Sequence, residues 1–391
     1  MAGNSPLRRL APIYLLLILR NTAWSLSVSG PVLPLYVRSL GVEIVDWGLL
    51  ATAHAVGLIV FEGLWGTVSD RVDRRWMLVA AVLCMGLVFP LYTLHALVPW
   101  FFALQFAIGA FACAVGPTTR AIVADTAPAD SKGFYMGLWF AFFILGSTIG
   151  PVLGTYVSET WGYEYTFHAS SILLLATAVV FSLSFRNGGL DGLRPVRRGP
   201  HLREALGALL ANPSVRLAFV LAVTIFMGIS AVRSFLPIYA SERLGMSDVA
   251  IGAMVAVSSA TQLVATPLAG RLSDRLGERR LIAAGLAGLT VLYAVYSVVG
   301  DPMGLVAVTV GVSALLSVCS LTLALLSKTA PRELSGTAMG VYGCFEDLGL
   351  IVGPVIYGYI WNAYRPPDIF LASAIASAIG LLFLTRIRDS A

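Results

Sequence analysis

Six charged side chains lie away from the ends of long apolar stretches of this 391-residue chain, and they are the residues best placed to do chemistry. One charge in hydrocarbon costs about 2.5–3.5 kcal/mol on insertion scales, so each is expected to face a partner or a water-filled path. Carboxylates and guanidinium groups in such places suit proton exchange and the binding of a charged group. The six are Arg20, Glu62, Arg120, Arg233, Glu346 and Asp347.

Glu346 and Asp347 are adjacent near the middle of one apolar stretch, where the bilayer gives a charge the least relief. Neighbouring helix positions point about 100° apart, so the two carboxylates are expected to face different surroundings. One is predicted to contact the other half of the chain while its neighbour lines a path. Because a carboxylate in hydrocarbon is tolerated most easily when neutral, both are candidate proton carriers, Asp347 ahead of Glu346.

The three arginines have alternative predicted roles. Arg20 is expected near mid-membrane, where it would bind an anionic group or neutralise one of the two adjacent carboxylates. Arg233 is expected nearer the outer surface, where it would act in the same way or extend its charge outward to water. Glu62 and Arg120 lie at comparable depth, so they are predicted to form a structural ion pair or to take part in gating or proton linkage.

The elements that must hold these side chains are membrane spans. Hydrophobic residues make up 58% of the chain and charged residues 12%, against about 25% charged in soluble domains, and the mean hydropathy is +0.83. Stretches of about 20 apolar residues can cross a hydrocarbon core about 30 Å thick. Twelve are predicted, at residues 10–37, 47–68, 77–97, 100–124, 134–158, 166–185, 215–240, 248–270, 281–299, 303–327, 336–360 and 369–385.

The sequence also repeats itself. The string at residues 66–75 recurs at 270–279, a shift of 204 residues, and Leu-Pro-Leu-Tyr at 33–36 returns as Leu-Pro-Ile-Tyr at 236–239. Matches that keep nearly the same register indicate an internal duplication with six spans in each copy. The predicted domains are an N-terminal six-helix bundle over 1–185, a basic linker over 186–214 and a C-terminal six-helix bundle over 215–391.

Basic residues predict the orientation, because they gather in cytoplasmic loops. Twenty of the 26 Lys and Arg residues fall in the termini and the loops on their side of the membrane, against three in the opposite loops, Arg38, Arg243 and Arg365. Both termini are therefore expected in the cytoplasm, with the chain integral to the plasma (inner) membrane. The net charge of +5 follows from this topology, so no nucleic-acid partner is expected.

The repeated loop carries a family resemblance. Its residues are Gly66, Asp70, Arg71, Arg74 and Arg75, echoed by Gly270, Asp274 and Arg275. With six plus six spans and a basic central loop, the chain resembles the major facilitator superfamily of secondary transporters. In that family the loop latches the two halves on the cytoplasmic side, and Asp125 resembles an acidic partner of the latch.

A second motif lies in the fifth span. Its residues are Gly146, Gly150, Pro151 and Gly154, partly mirrored in the eleventh span by Gly353 and Pro354. Glycines spaced by four make one smooth helix face for close packing. The motif is similar to that of the drug and proton antiporter group. Three positions depart from the family: Asp73 replaces a loop glycine, Glu278 replaces a basic residue, and Gln105 stands where the antiporters often carry arginine.

The resemblance implies an all-α integral membrane protein with two pseudo-symmetric six-helix bundles, a cavity lined by spans one and seven, and alternating access. The predicted function is proton-coupled export of amphiphilic or drug-like molecules. Import or facilitated diffusion of a polar or anionic metabolite is the alternative, favoured by the intramembrane arginines and Gln105.

A membrane-embedded enzyme is a weaker alternative, since the sequence lacks a nucleophile motif, a P-loop and His-Glu-x-x-His, and its four cysteines and four histidines are too scattered to predict a metal site. The expected partners are the lipid bilayer, a small-molecule substrate and protons. The proton gradient is the expected energy source, without a cofactor, and the chain is expected to be a monomer.

Overall fold

The computed structural model describes residues 6–69, 72–128, 131–184, 202–331 and 334–386. Within these ranges the regular structure is helical, with no strand, and a 3₁₀ turn at Phe89–Thr93 extends one helix. The helices are α1 Pro6–Ser27, α2 Val32–Ser39, α3 Ile44–Ser69, α4 Arg74–Val88, α5 Val98–Ala112, α6 Val115–Thr126, α7 Lys132–Trp161, α8 Tyr163–Ser184, α9 Leu202–Ala211, α10 Pro213–Leu244, α11 Asp248–Leu276, α12 Glu278–Tyr296, α13 Pro302–Cys319, α14 Leu321–Thr329, α15 Ser335–Ala363 and α16 Asp368–Arg386.

These helices form twelve segments that are long and apolar enough to cross a membrane, which confirms the predicted number of spans. Three spans consist of two helices in line: α1 with α2, α5 with α6, and α13 with α14. The short helix α9 lies within the stretch that the sequence predicts as a linker. The predicted linker before residue 202 lies outside the described residues.

The chain forms two compact units, and each takes a short segment from the other sequence repeat. Unit 1 contains residues 1–40, 56–196 and 247–260, and unit 2 contains 41–55, 197–246 and 261–391. Nearly half of α3, at its N-terminal end, therefore packs in unit 2, and nearly half of α11, also at its N-terminal end, packs in unit 1. The domain boundaries predicted from the sequence follow the internal duplication, and as domain boundaries they stay a prediction.

In unit 1, the span-five glycines lie against the backbone of α1. A Cβ added to Gly146 would lie 2.6 Å from the Ile18 carbonyl oxygen, and one added to Gly150 would lie 2.6 Å from that of Thr22. A Cβ on Gly154 would overlap the α1 backbone in the same way. Only glycine fits at such distances, so the four-residue spacing records the line along which α7 touches α1.

In unit 2, α15 packs on α10 through the equivalent face. A Cβ on Gly349 would lie 2.7 Å from the Val223 carbonyl oxygen, and one on Gly353 would meet the backbone and Ser230 of α10. Tyr357 stands where a third small residue would be expected, and its hydroxyl donates a hydrogen bond to the Met227 carbonyl at 3.0 Å. The equivalent helix contact thus ends with a close-packed glycine, Gly154, in unit 1 and with a hydrogen bond from Tyr357 in unit 2.

The first turns of α3 are anchored in unit 2 by side-chain donors. The Trp47 indole Nε1 donates to the Ser234 carbonyl at 2.7 Å, and the Thr52 hydroxyl donates to the Ile351 carbonyl at 2.9 Å. Between them, a Cβ on Gly48 would collide with the backbone of α15. This segment is fixed by close backbone approach as well as by hydrogen bonds.

The start of α11 is anchored in unit 1 by a carboxylate. Glu159 Oε2 accepts a hydrogen bond from the Val249 backbone N–H at 2.9 Å, and the Ser158 hydroxyl lies 3.3 Å from Asp248 Oδ2. A carboxylate at a helix N-terminus satisfies an N–H that lacks an intrahelical partner and interacts favourably with the helix dipole. Gly252 then lies within reach of the α7 backbone.

We predict that Gly150→Ala lowers the thermal stability of the purified protein by the equivalent of about 1–3 kcal/mol, because overpacking forces α1 and α7 apart. Gly137→Ala is the matched control in the same helix, since no other atom among the described residues lies within 4 Å of its added Cβ. Thermal unfolding in detergent measures both. Equal effects of the two substitutions would contradict the packing argument.

Candidate functional site

An arginine and a carboxylate lie on α10 and α15, two helices of unit 2 that pack against each other. Arg233 lies on α10 and Glu346 near the middle of α15, and the Glu346 carboxylate interacts electrostatically with the guanidinium. Arg233 has an exposed side chain and Glu346 is half-buried. The buried Tyr293 also interacts with Arg233. We call these two charged residues the Arg233–Glu346 site.

Aromatic packing fixes the carboxylate of this site. The Phe219 ring of α10 stacks on Phe345 with centroids 4.8 Å apart and planes 6° from parallel. Phe345 immediately precedes Glu346, and Tyr342, one turn earlier, is buried in the same α10–α15 cluster. The backbone that carries Glu346 is therefore held against the helix that carries Arg233. Asp347, the next residue, is half-buried as well.

A second arginine–carboxylate pair lies in unit 1. Glu62 on α3 interacts electrostatically with Arg120 on α6, as the sequence suggested. The Arg120 guanidinium carbon lies 5.1 Å from the Trp139 ring centroid, and the Trp139 indole donates to the Thr119 hydroxyl at 3.0 Å. Trp139 therefore positions the cation by its ring face. Nothing in the position of Trp139 in the sequence indicates that it has a cation neighbour.

Arg20 is placed differently from the sequence-based suggestion that it pairs with Glu346 or Asp347. Its Nη1 donates to Asn21 Oδ1 at 2.8 Å, its Nη2 lies 3.9 Å from Met85 Sδ, and its Cζ lies 4.7 Å from the Trp24 ring centroid. These contacts are all within unit 1. The predicted pairing of Arg20 with Glu346 or Asp347 is not among these contacts, which all come from residues of its own bundle.

Gln105 lies on α5 and is buried in unit 1. Its Oε1 accepts no hydrogen bond from the described residues. A neutral amide thus occupies the position of α5 at which the antiporter motif often carries a cation.

The first gating loop is only partly described. Asp70 and Arg71 lie outside the described residues, and Gly66 lies in the last turn of α3. Arg74 Nη1 lies 3.0 Å from Asp125 Oδ2, with the Arg74 side chain 4% exposed and the Asp125 side chain 52% exposed. The structure therefore places Arg74 and Asp125 together.

Asp73 and Arg75 form the N-terminus of α4. Asp73 accepts a hydrogen bond from the Arg75 backbone N–H at 2.9 Å and pairs with its guanidinium at 2.6 Å. These hydrogen bonds from Arg75 hold the pKa of the Asp73 carboxyl below its usual value. Asp73, a departure from the loop motif, thus acts as the helix N-cap.

The second loop holds the same ion pair with its charges exchanged. Glu278 begins α12 and pairs with Lys328 of α14, at the positions that correspond to Arg74 and Asp125 after repeat shifts of 204 and 203 residues respectively. Asp274, exposed near the end of α11, also interacts with Lys328. The neighbouring Arg275 is exposed, and no described atom lies within 4 Å of a Cβ added to Gly270. Glu278 therefore has a role that the departure from the motif hid, and an alignment of the two repeats would have indicated it.

Comparison with known proteins identifies the family. The family model described as Major Facilitator Superfamily matches residues 15–354 and 218–391. The chain belongs to the major facilitator superfamily. It is therefore a membrane transporter rather than an enzyme, and the resemblance in its motifs is confirmed.

Curated relatives point to one branch of this superfamily. The chain is 26% identical over 368 residues to the multidrug resistance protein MdtG of Enterobacter lignolyticus, covering 90% of this chain and 86% of that protein. It is 26% identical over 382 residues to MdtG of Escherichia coli O1:K1, covering 94% and 91%.

Solved structures share the fold at low identity. A bacterial homolog of the human lysosomal transporter Spinster aligns with a TM-score of 0.78 at 14% identity, covering 96% of this chain and 95% of that chain. A mutant of the nucleoside transporter NupG aligns with a TM-score of 0.80 at 14% identity, covering 96% and 98%. These likenesses confirm the predicted twelve-helix fold.

The exchanged ion pairs generate a prediction. Glu278→Lys and Lys328→Glu should each lower the free energy of unfolding, because each places like charges side by side, and the double swap should recover the loss. The coupling should be small, since the Lys328 side chain is 65% exposed. The corresponding swap of Arg74 and Asp125 should show a larger coupling because Arg74 is buried. Double-mutant cycles in mixed micelles measure both, and zero coupling in each would contradict the pairing.

Proposed function

We propose that this transporter exports amphiphilic, drug-like molecules in exchange for protons, with Glu346 as the proton-carrying carboxylate. The observation that carries the proposal is the Arg233–Glu346 site, a half-buried carboxylate near the middle of a span that interacts electrostatically with a guanidinium. The names of the curated relatives support efflux as the direction and drug-like molecules as the cargo.

The chemistry of the site follows from charge balance. When Glu346 is ionised it neutralises Arg233, and the pair carries no net charge. When Glu346 binds a proton, the attraction between α10 and α15 is lost and the guanidinium is released to other partners. A nearby guanidinium favours the ionised carboxylate, so any movement that separates α15 from Arg233 favours proton uptake. Proton binding and helix movement are then linked in both directions.

Other parts of the proposal rest on the sequence. The termini lie in the cytoplasm, the protein works as a monomer in the inner membrane, and the proton gradient supplies the energy without a cofactor. The loops around Arg74–Asp125 and Glu278–Lys328 latch the cytoplasmic side in one state and release it in another. Asp347 is the alternative proton carrier, one helix position away from Glu346.

The test uses protein reconstituted in vesicles. A ligand-stabilisation screen of amphiphiles sorted by charge first identifies compounds that bind, and an imposed pH gradient then drives their accumulation. Glu346→Gln should lower pH-driven accumulation at least about tenfold and retain exchange of bound compound, because the amide cannot carry a proton. Glu43→Gln is the matched control, since Glu43 is exposed just before α3.

Two outcomes would overturn parts of this proposal. If a pH gradient fails to drive accumulation of any stabilising compound by the wild-type protein, proton coupling is wrong and the chain is a facilitator or uses another ion. If Asp347→Asn uncouples transport and Glu346→Gln does not, the proton carrier is Asp347.

A further inference from the structure

Arg20 differs from the other arginines inside the spans in having no acidic neighbour among the described residues. Arg233 interacts with Glu346 and Arg120 with Glu62. The Arg20 side chain is only 7% exposed, and no carboxylate in the described part of the chain pairs with it or interacts with it electrostatically. A buried charge without a counter-ion carries a desolvation cost of several kcal/mol. Something else must supply the missing negative charge when the protein works.

Arg20 and the adjacent Asn21 each have a buried N–H donor that makes no hydrogen bond to the described residues. The side-chain acceptor of Asn21, its Oδ1, accepts a hydrogen bond from the Arg20 Nη1 at 2.8 Å. The Arg20 Nε and the Asn21 Nδ2 are buried, and neither finds an acceptor among the described residues. We call these two side chains the Arg20–Asn21 donor cluster. Unsatisfied N–H groups around a positive charge are matched best by the oxygen atoms of an anion, because hydrogen bonds between charged groups are the stronger ones.

The walls around this donor cluster are apolar and aromatic. The Trp24 ring lies 4.7 Å from the Arg20 Cζ, and its centroid is 6.4 Å from that of the buried Phe89. The Met85 thioether lies 3.9 Å from Nη2, a weak acceptor that a carboxylate oxygen would outcompete. One charged end and one apolar flank suit an amphiphilic ligand.

The donor cluster is also held in place. A Cβ added to Gly146 of α7 would lie 2.8 Å from the Asn21 Cβ, so α7 fixes the α1 backbone at this point. The Ser25 hydroxyl, one turn further along α1, lies 3.1 Å from the Gly146 carbonyl. Preorganised donors lose little freedom when a ligand binds them, which favours their use as a binding group.

We propose that the Arg20–Asn21 donor cluster is an anion subsite, and that the transported substrates include amphiphiles with an aromatic body and one carboxylate or sulfonate. The anion supplies the counter-charge for Arg20 and accepts hydrogen bonds from the Arg20 Nε and the Asn21 Nδ2, while the ring packs beside Trp24. This inference rests on the proposed transport of amphiphiles and adds the charge that the cargo carries. Alternating access opens the cluster to its ligand during the cycle.

The test compares three probes with one ring system: 1-naphthoate, neutral 1-naphthylmethanol and cationic 1-naphthylmethylammonium. Purified wild-type protein should bind naphthoate at least about tenfold more tightly than either partner, the factor that one charge-assisted hydrogen bond supplies. Arg20→Gln should lose this preference, and Arg20→Lys should keep part of it because the charge remains. Arg9→Gln is the matched control, since Arg9 is exposed in the same helix.

Asn21→Asp keeps the test decisive even if Arg20 variants fold poorly. This isosteric change gives Arg20 an internal counter-ion, so it should raise the melting temperature of the ligand-free protein and abolish the stabilisation by naphthoate. Naphthoate binding that survives both Asn21→Asp and Arg20→Gln would overturn the anion subsite, as would a wild-type preference for the cation.

The subsite and the proposed function fail in different assays. If the wild type accumulates the cation in response to a pH gradient and shows no preference for naphthoate, efflux stands and the subsite is wrong. If naphthoate binding requires Arg20 while a pH gradient moves none of the three probes, the subsite stands and proton coupling is wrong.

Discussion

The need to compensate every charge placed in hydrocarbon is the constraint on which the rest of this structure depends. Arg233 interacts electrostatically with Glu346 in unit 2, and Arg120 interacts in the same way with Glu62 and lies over the face of Trp139 in unit 1. Each pair joins two different helices, so the position of the helices decides whether the charges remain balanced. A transporter that links movement to ion binding needs such pairs, because their free energy differs between its states.

Close helix packing holds pairs of helices together within each unit. The glycines of α7 bring it onto the α1 backbone, and Gly349 and Gly353 bring α15 onto α10. Contacts of this kind have no flexible side chain between the two backbones, so they hold the two helices of each pair close together along the glycine face. Arg20 lies on the α1–α7 pair, and Glu346 lies on the α10–α15 pair.

The sequence predicted the architecture because hydropathy and repetition are local and periodic. The twelve spans and the glycine face of α7 follow directly from residue type and spacing. The Glu62–Arg120 pair could be predicted from the depth of the two residues in the membrane, because each lies a known number of helix turns from the end of its span. Depth alone could not choose a partner for Arg20, since several helices bring side chains to the same level.

Features that depend on which residues meet in the folded chain could not be predicted from the sequence. Glu278 replaces the basic residue that the motif has at this position, but it pairs with Lys328. The exchange of charges therefore keeps an ion pair that a comparison of motifs alone would treat as lost. The assignment of residues 41–55 and 247–260 to the opposite units left no mark in composition. It depends on contacts such as that of Trp47 with the Ser234 carbonyl, which form only after the chain has folded.

The central claim is that Glu346 binds and releases a proton beside Arg233, and difference infrared spectroscopy of the protein in lipid tests it most directly. Lowering the pH should produce the carbonyl band of a protonated carboxyl group that is absent in Glu346→Gln and present in Glu43→Gln. Replacing Arg233 with Gln should move the appearance of that band to higher pH, because the guanidinium no longer favours the ionised form. A band that persists unchanged in Glu346→Gln would contradict the account.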